Sequence, residues 1–252
     1  MKKNILKIAL FIVLCGFALP QKKKIKVFLA GDSTISIKEK RAYPETGWGM
    51  PFVHMFDSSV VIENRAKNGR STRTFIEEGL WDKLIKDVQP DDYVFIQFGH
   101  NDESPDKVDR YTSPEQYKIN LVKFIAETRM KKAHPVLLTP VSRRKFKDGK
   151  QVETHEVYSK IVREIAIQLK VPLIDLDKKS QELYQQTGEE TSKLFFLQLT
   201  PGEHPNYPEG KVDNTHFNEL GARKIAQIVL AEVKALNLEL ADRVVKPVVK
   251  KL

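Results

Sequence analysis

The 252-residue sequence predicts an α/β fold, a three-layer α/β/α sandwich built around a five-stranded parallel sheet. Three observations lead there. Short apolar runs rich in β-branched and aromatic residues alternate with longer stretches of helical periodicity, the pattern of parallel strands joined by crossover helices. No internal repeat or low-complexity linker divides the chain, and its length is enough for one large domain with a proper core. Polar motifs follow the apolar runs, and ligands of open α/β sheets bind beyond the carboxyl ends of the strands.

The elements follow in order. Strands are expected at residues 25–30, 60–64, 93–98, 136–139 and 172–175. Helices are expected at residues 49–56, 75–86, 114–132, 156–169 and 219–236. In the third of these, Tyr117, Leu121, Phe124, Ile125 and Thr128 recur at three- and four-residue spacing, which marks a stripe facing the core.

Residues 1–20 stand apart. Lys2, Lys3 and Lys7 precede an uncharged stretch from residue 8 to residue 20, too short to span a bilayer comfortably, which reads as a secretory signal peptide. Gly16, Phe17 and Ala18 offer a cleavage site, and a position nearer Gln21 is the alternative. Cys15 raises the option of a lipoprotein, but Leu14 stands where a small residue would be expected. Residues 21–252 are then one exported domain, periplasmic or extracellular, with a basic C-terminal tail. The net charge is +9, three charges of it in the leader. The clusters at residues 21–26, 143–150 and 246–251 are solvated surface on one reading and attract a polyanion on the other. Nucleic acid is disfavoured by the leader and by the lack of any binding motif.

Gly31-Asp32-Ser33-Thr34 follows the first apolar run, and Asp213-Asn214-Thr215-His216 precedes the last helix. Together they offer a serine hydroxyl, an imidazole base and a carboxylate three residues from it, within reach through a local turn. A hydroxyl needs such a base to become a nucleophile at neutral pH. The rival readings are turn chemistry for both motifs and a helix cap for Ser33 and Asn218. His54, His134 and His155 fall on or beside helical or strand patterns, and Asp175 is the fallback acid.

Two more blocks lie between, Asn64-Arg65-Ala66-Lys67-Asn68-Gly69-Arg70-Ser71 after the second strand and Gly99-His100-Asn101-Asp102 after the third. Four blocks in this order resemble those of the SGNH (GDSL-like) hydrolases, whose sheet is flavodoxin-like. Gly47-Trp48-Gly49, Thr72-Arg73 after Ser71, Phe98, and the Pro201-Gly202-Glu203-His204-Pro205-Asn206-Tyr207-Pro208 segment make the chain most similar to the rhamnogalacturonan acetylesterases of that superfamily.

The resemblance implies a Ser33-His216-Asp213 triad and an oxyanion hole formed by the backbone N–H groups of Ser33 and Gly69 and the amide of Asn101. It implies removal of acetyl groups from rhamnogalacturonan, with no metal or other cofactor. Arg70, Arg73, Arg143 and Arg144 are candidates for uronate carboxylates or for internal salt bridges. Trp48 is a candidate for stacking on sugar or for the core. His100 and Asp102 have contact with substrate or support of the loop as their alternatives, and His204 is a candidate wall of the site. Asp32 is expected to order the turn around Ser33. Alternative functions are an acetylesterase acting on xylan or another glycan, and a carbohydrate-binding protein of the same fold without turnover. The polar loops and the absence of Gly-x-Ser-x-Gly disfavour a lipase of the α/β-hydrolase type. No oligomeric state is implied.

Overall fold

The computed structural model describes residues 23–246; the expected leader, with Cys15, and nearly all of the basic tail lie outside them. Along the chain come β1 (Ile25–Gly31), α1 (Gly49–Phe52), β2 (Val60–Asn64), α2 (Thr72–Glu77), α3 (Leu80–Asp87), β3 (Tyr93–Gln97), α4 (Pro114–Met130) and β4 (His134–Leu138). A small hairpin, β5 (Phe146–Lys147) and β6 (Lys150–Gln151), precedes α5 (Glu156–Leu169), β7 (Leu173–Ile174), α6 (Leu176–Thr187), β8 (Phe196–Leu199), β9 (Lys211–Phe217) and α7 (Glu219–Ala235).

The five strands pair in parallel in the order β2-β1-β3-β4-β7. In β1 the side chains alternate between two cores, because successive residues of a strand point to opposite faces. Ile25, Val27 and Leu29 join Trp48, Phe52, Ile225 and Val229 on the face covered by α1, α6 and α7. Phe28 and Ala30 join Phe75, Trp81, Phe124 and Val162 on the face covered by α2 to α5. The sheet is therefore doubly wound, and its strand order reverses between β1 and β3, where such a sheet opens a crevice for ligand.

The strands lie where the apolar runs place them, with ends shifted by one or two residues. The helix expected at residues 75–86 is two helices, because Gly79 adopts a left-handed conformation (φ +66°) at the N-terminus of α3. The first begins earlier, at Thr72, where Ser71 and Thr74 form a reciprocal capping pair. The helix at residues 49–56 is a single α-turn followed by a 3₁₀ turn. Helix α6 and the β8–β9 hairpin are additions to the expected elements. Among the described residues no helix is long and apolar enough to cross a membrane.

Candidate active site

Strand β1 delivers Gly31 into a tight approach. A Cβ there would sit 2.5 Å from the Gln97 carbonyl oxygen and 2.3 Å from Ile35 Cδ1, so only glycine fits. The chain then turns, with the amides of Ile35 and Ser36 donating to the Asp32 carbonyl. The buried Asp32 Oδ1 accepts from Thr34 N at 2.9 Å and from Thr34 Oγ1 at 2.8 Å. Asp32 thus orders the turn, and Ser33, half-buried at its apex, faces the crevice. Gln97 Nε2 donates to Thr34 Oγ1 at 2.7 Å, while its own Oε1 accepts from Trp48 Nε1 at 2.9 Å. Trp48 is fully buried against Phe52. It is a core residue holding the turn from behind, which corrects its candidacy for stacking on sugar.

The second motif arrives from the far end of the chain as a bulge. In the antiparallel hairpin Phe196 pairs with Phe217 but Leu197 pairs with Asp213, so Asn214, Thr215 and His216 loop out. The extra residues let the strand fold back on itself. Asp213 Oδ1 accepts from Thr215 N at 2.7 Å and His216 N at 2.9 Å, and Oδ2 lies 2.8 Å from His216 Nδ1. His216 Nε2 lies 2.9 Å from Ser33 Oγ, across 183 positions of sequence. Burial would raise the pKa of Asp213, but the His216 ring and the two amides outweigh it and hold the carboxyl well below its usual range. An ionised acceptor at Nδ1 leaves Nε2 free to take the serine proton.

Arg143 and Arg144 brace this bulge. Arg143 donates to Thr215 Oγ1 at 2.6 Å and to Glu103 Oε1 at 3.2 Å. Buried Arg144 donates to Asn214 Oδ1 at 3.1 Å and Ser192 Oγ at 3.0 Å. Asp175 caps α6 and pairs with Arg163, so the fallback acid is engaged elsewhere. The other arginines also have internal partners. Arg70 binds Glu78 and the Asn68 carbonyl, and Arg73 donates to the carbonyls of Tyr111 and Val108.

Gly69 follows β2 with φ +73°, a conformation that favours glycine, and leaves its approach open apart from Arg110. Asn101 follows β3, its Nδ2 donating to the Arg70 carbonyl at 3.1 Å. Ser33, Gly69, Asn101, Asp213 and His216 share one cleft of about 330 Å³. His100 also reaches this cleft but is buried, with Nδ1 3.2 Å from Asp32 Oδ2 and its ring edge-on to His155 at 4.5 Å. Burial holds its imidazole neutral, down to about 4, against the pull of Asp32. His204 packs on Tyr43 and Tyr207 in the neighbouring loop, and it is Tyr207 rather than His204 that lines the cleft.

Asp102 is fully buried. Its Oδ1 accepts from Thr72 N at 2.9 Å and Thr72 Oγ1, while Oδ2 has no hydrogen-bond partner among the described residues. Burial pushes its carboxyl up to about 7, although the Thr72 donors pull the other way. A carboxyl whose pKa is higher folded than unfolded is stabilising below its unfolded pKa of 3.8, and that contribution fades as pH rises through about 7. Asp102→Asn should therefore gain stability relative to the parent, by a few kcal/mol, between pH 4 and pH 8. Paired denaturant titrations at the two pH values check this, and a pH-independent difference would contradict it.

The sequence reading missed several residues of the cleft: Lys107, Arg110, Lys211, Glu45 and Tyr207. Lys211 had a signal, since it lies two positions before Asp213 in β9 and strand periodicity puts both on one side. Lys107 and Arg110 lie in an irregular loop with no such marker. Lys38 was missed too. Its side chain is only 2% exposed and pairs with Glu45 at 2.7 Å; burial lowers its ammonium from the usual range, opposed by Glu45. Among the described residues no three His, Cys, Asp or Glu side chains cluster as metal ligands.

The model of the GDSL-like lipase/acylhydrolase family matches residues 29–224. The rhamnogalacturonan acetylesterase RhgT of Bacillus subtilis is 42% identical over 225 residues, 89% of this chain and 96% of the relative. Among solved structures, the Bacillus subtilis protein YxiM superposes with a TM-score of 0.73 at 24% identity, over 86% of this chain and 58% of that one. A catalytic mutant of Axe2, an acetylxylan esterase from Geobacillus stearothermophilus, gives 0.61 at 18% identity, over 84% and 94%.

Proposed function

The chain belongs to the GDSL-like lipase/acylhydrolase family, and we propose that it is an exported carbohydrate esterase that removes O-acetyl groups from rhamnogalacturonan through Ser33, His216 and Asp213. The observation that carries the catalytic part is the unbroken line from Ser33 Oγ to His216 (2.9 Å) to Asp213 (2.8 Å), opening into the cleft that holds Gly69 and Asn101.

In this reading His216 Nε2 accepts the Ser33 proton as Oγ attacks the acetyl carbonyl. The developing oxyanion receives hydrogen bonds from the N–H groups of Ser33 and Gly69 and from Asn101 Nδ2. When the tetrahedral species collapses, the C–O bond to the sugar breaks and His216 gives its proton to the departing hydroxyl. Water then repeats the attack on the acetyl-enzyme, with His216 again as base, and releases acetate. Asp213 stays ionised throughout, holding the imidazole and offsetting its transient charge. One domain, residues 21–252, carries the whole reaction once a leader at residues 1–20 has directed export.

The substrate assignment is supported by the 42% identity to RhgT and by the charge of the cleft. Lys107, Arg110, Arg143 and Lys211 line it against the carboxylates of Glu45 and Asp213. Of the four cations, Lys107 and Lys211 lie exposed at its mouth. A surplus of cations at a mouth raises the local concentration of an acidic polymer. Acetate release from acetylated rhamnogalacturonan, acetylated homogalacturonan and acetylated xylan tests the assignment. Release fastest from the first, and weakened by salt, is the expected result. Preference for xylan would keep the chemistry and discard the pectin substrate, and no release from any ester would leave a carbohydrate-binding protein.

A further inference from the structure

Lys38 is buried five residues past Ser33, and each of its three ammonium protons has an acceptor. Nζ lies 2.5 Å from the Ser33 carbonyl oxygen, 2.8 Å from Asn68 Oδ1 and 2.7 Å from Glu45 Oε1. An ammonium has three donors and no acceptor, so this set satisfies it completely. Ser36 Oγ reinforces the same node, donating to Asn68 Oδ1 at 2.5 Å.

The two neutral acceptors belong to different segments of the site. One is the main chain of Ser33 itself. The other is the side chain of the residue immediately before Gly69. The strands carrying them are β1 and β2, and past their ends the last main-chain link between them among the described residues is Lys67 N to the Gly31 carbonyl at 3.0 Å. Beyond it the chains at Ser33 and at Asn68-Gly69 diverge into separate turns, and the Lys38 ammonium spans the gap.

We propose that Lys38 is a positioning residue: its ammonium ties the Ser33 turn to the Asn68-Gly69 turn and so holds their two backbone N–H groups aimed at one oxyanion. The proposal rests on the reading of Ser33 as nucleophile and of Ser33 and Gly69 as donors. Glu45 completes the tie by neutralising a charge that would otherwise be costly to bury. Lys38 does not touch the reacting atoms. It sets the spacing of groups that do, and a preorganised oxyanion site depends on such spacing.

The test compares Lys38→Met and Asn68→Ala with wild type on p-nitrophenyl acetate, measuring kcat, KM and melting temperature. Displacing a donor by about an ångström costs about 100-fold, so kcat should fall about 10- to 100-fold in both variants, with KM within about twofold of wild type. A role confined to stability would lower the melting temperature and leave kcat of the folded protein unchanged. That result overturns the proposal. A raised KM with kcat intact also overturns it, since it would make Lys38 a substrate contact. So does normal kcat in Asn68→Ala, because the tie requires its second end.

Lys38→Met leaves Glu45 without its partner and risks misfolding. Lys38→Met/Glu45→Gln removes that charge, and Asn68→Ala alters an exposed residue, so at least one variant reports on a folded protein. Wild type and Ser33→Ala are assayed first. Loss of the Ser33 dependence defeats the functional reading, whereas an intact Ser33 dependence with unaltered Lys38 and Asn68 variants defeats this inference alone.

Discussion

Ser33→Ala is expected to lower kcat for acetate release about 10⁴- to 10⁶-fold while leaving the fold intact. Both halves of that expectation come from the hydrogen bonds. Among the described residues, the one hydrogen bond of Ser33 Oγ is the 2.9 Å contact with His216 Nε2. Everything that shapes the turn uses other atoms: the Asp32 carboxylate on Thr34, the Asp32 carbonyl on Ile35 and Ser36, and the Ser33 carbonyl on Lys38. Removing one half-buried hydroxyl thus deletes the nucleophile and leaves its scaffold bonded. The residual rate comes from water attacking within a still-formed oxyanion site. Kinetics on acetylated rhamnogalacturonan with a thermal melt measure the two effects together. Activity within tenfold of wild type would take the nucleophile away from Ser33. The same variant separates an esterase from a binding protein, because an organophosphonate should label wild type and not Ser33→Ala. Failure to label wild type would favour the binding protein.

How much of this is legible in the sequence differs from element to element. The sheet strands are short apolar runs, and β1, β3 and β4 have at least one fully buried face; such runs announce themselves. Helix α6 does not: its buried positions include Asp177 and Ser180 beside Leu176 and Tyr184, so its inner face is half polar and too few apolar residues mark it as a core stripe. The β8–β9 hairpin hides for another reason. Lys211 and Val212 in β9 are exposed, and a proline-rich connection separates it from β8. The candidate site is legible where glycine and charged residues gather in short blocks after strands, as at Gly31-Asp32-Ser33 and Gly99-His100-Asn101. It is not legible where a single long side chain reaches back from a loop, as Lys38 and Arg110 do. Trp48 misleads because an aromatic beside a polar motif reads alike whether it faces sugar or core. Its burial against Phe52 and its hydrogen bond to the Gln97 amide, 49 positions away, decide between them.

Asp213→Asn should cost about 10⁴-fold in kcat at neutral pH, more than its small change in shape suggests. The carboxylate accepts three hydrogen bonds, two at Oδ1 from the amides of Thr215 and His216 and one at Oδ2 from His216 Nδ1. An amide has one oxygen to offer. If that oxygen stays on the two main-chain donors, the NH₂ group faces Nδ1 and selects the tautomer with hydrogen on Nε2, which cannot take the Ser33 proton. If the amide turns over, the imidazole keeps its tautomer but two backbone N–H groups face an NH₂ group, destabilising the bulge by about 1–3 kcal/mol. A large loss of kcat with an unchanged melting temperature identifies the first arrangement, and a smaller loss with a lowered melt the second. Because the Asp213 carboxyl is held far below its usual range, activity lost on mild acidification of wild type does not arise from Asp213. Wild-type kcat in a stable Asp213→Asn protein would remove the acid from the triad. Asp175 could not replace it, since its carboxylate is bound by the Arg163 guanidinium at 2.9 Å through both oxygens.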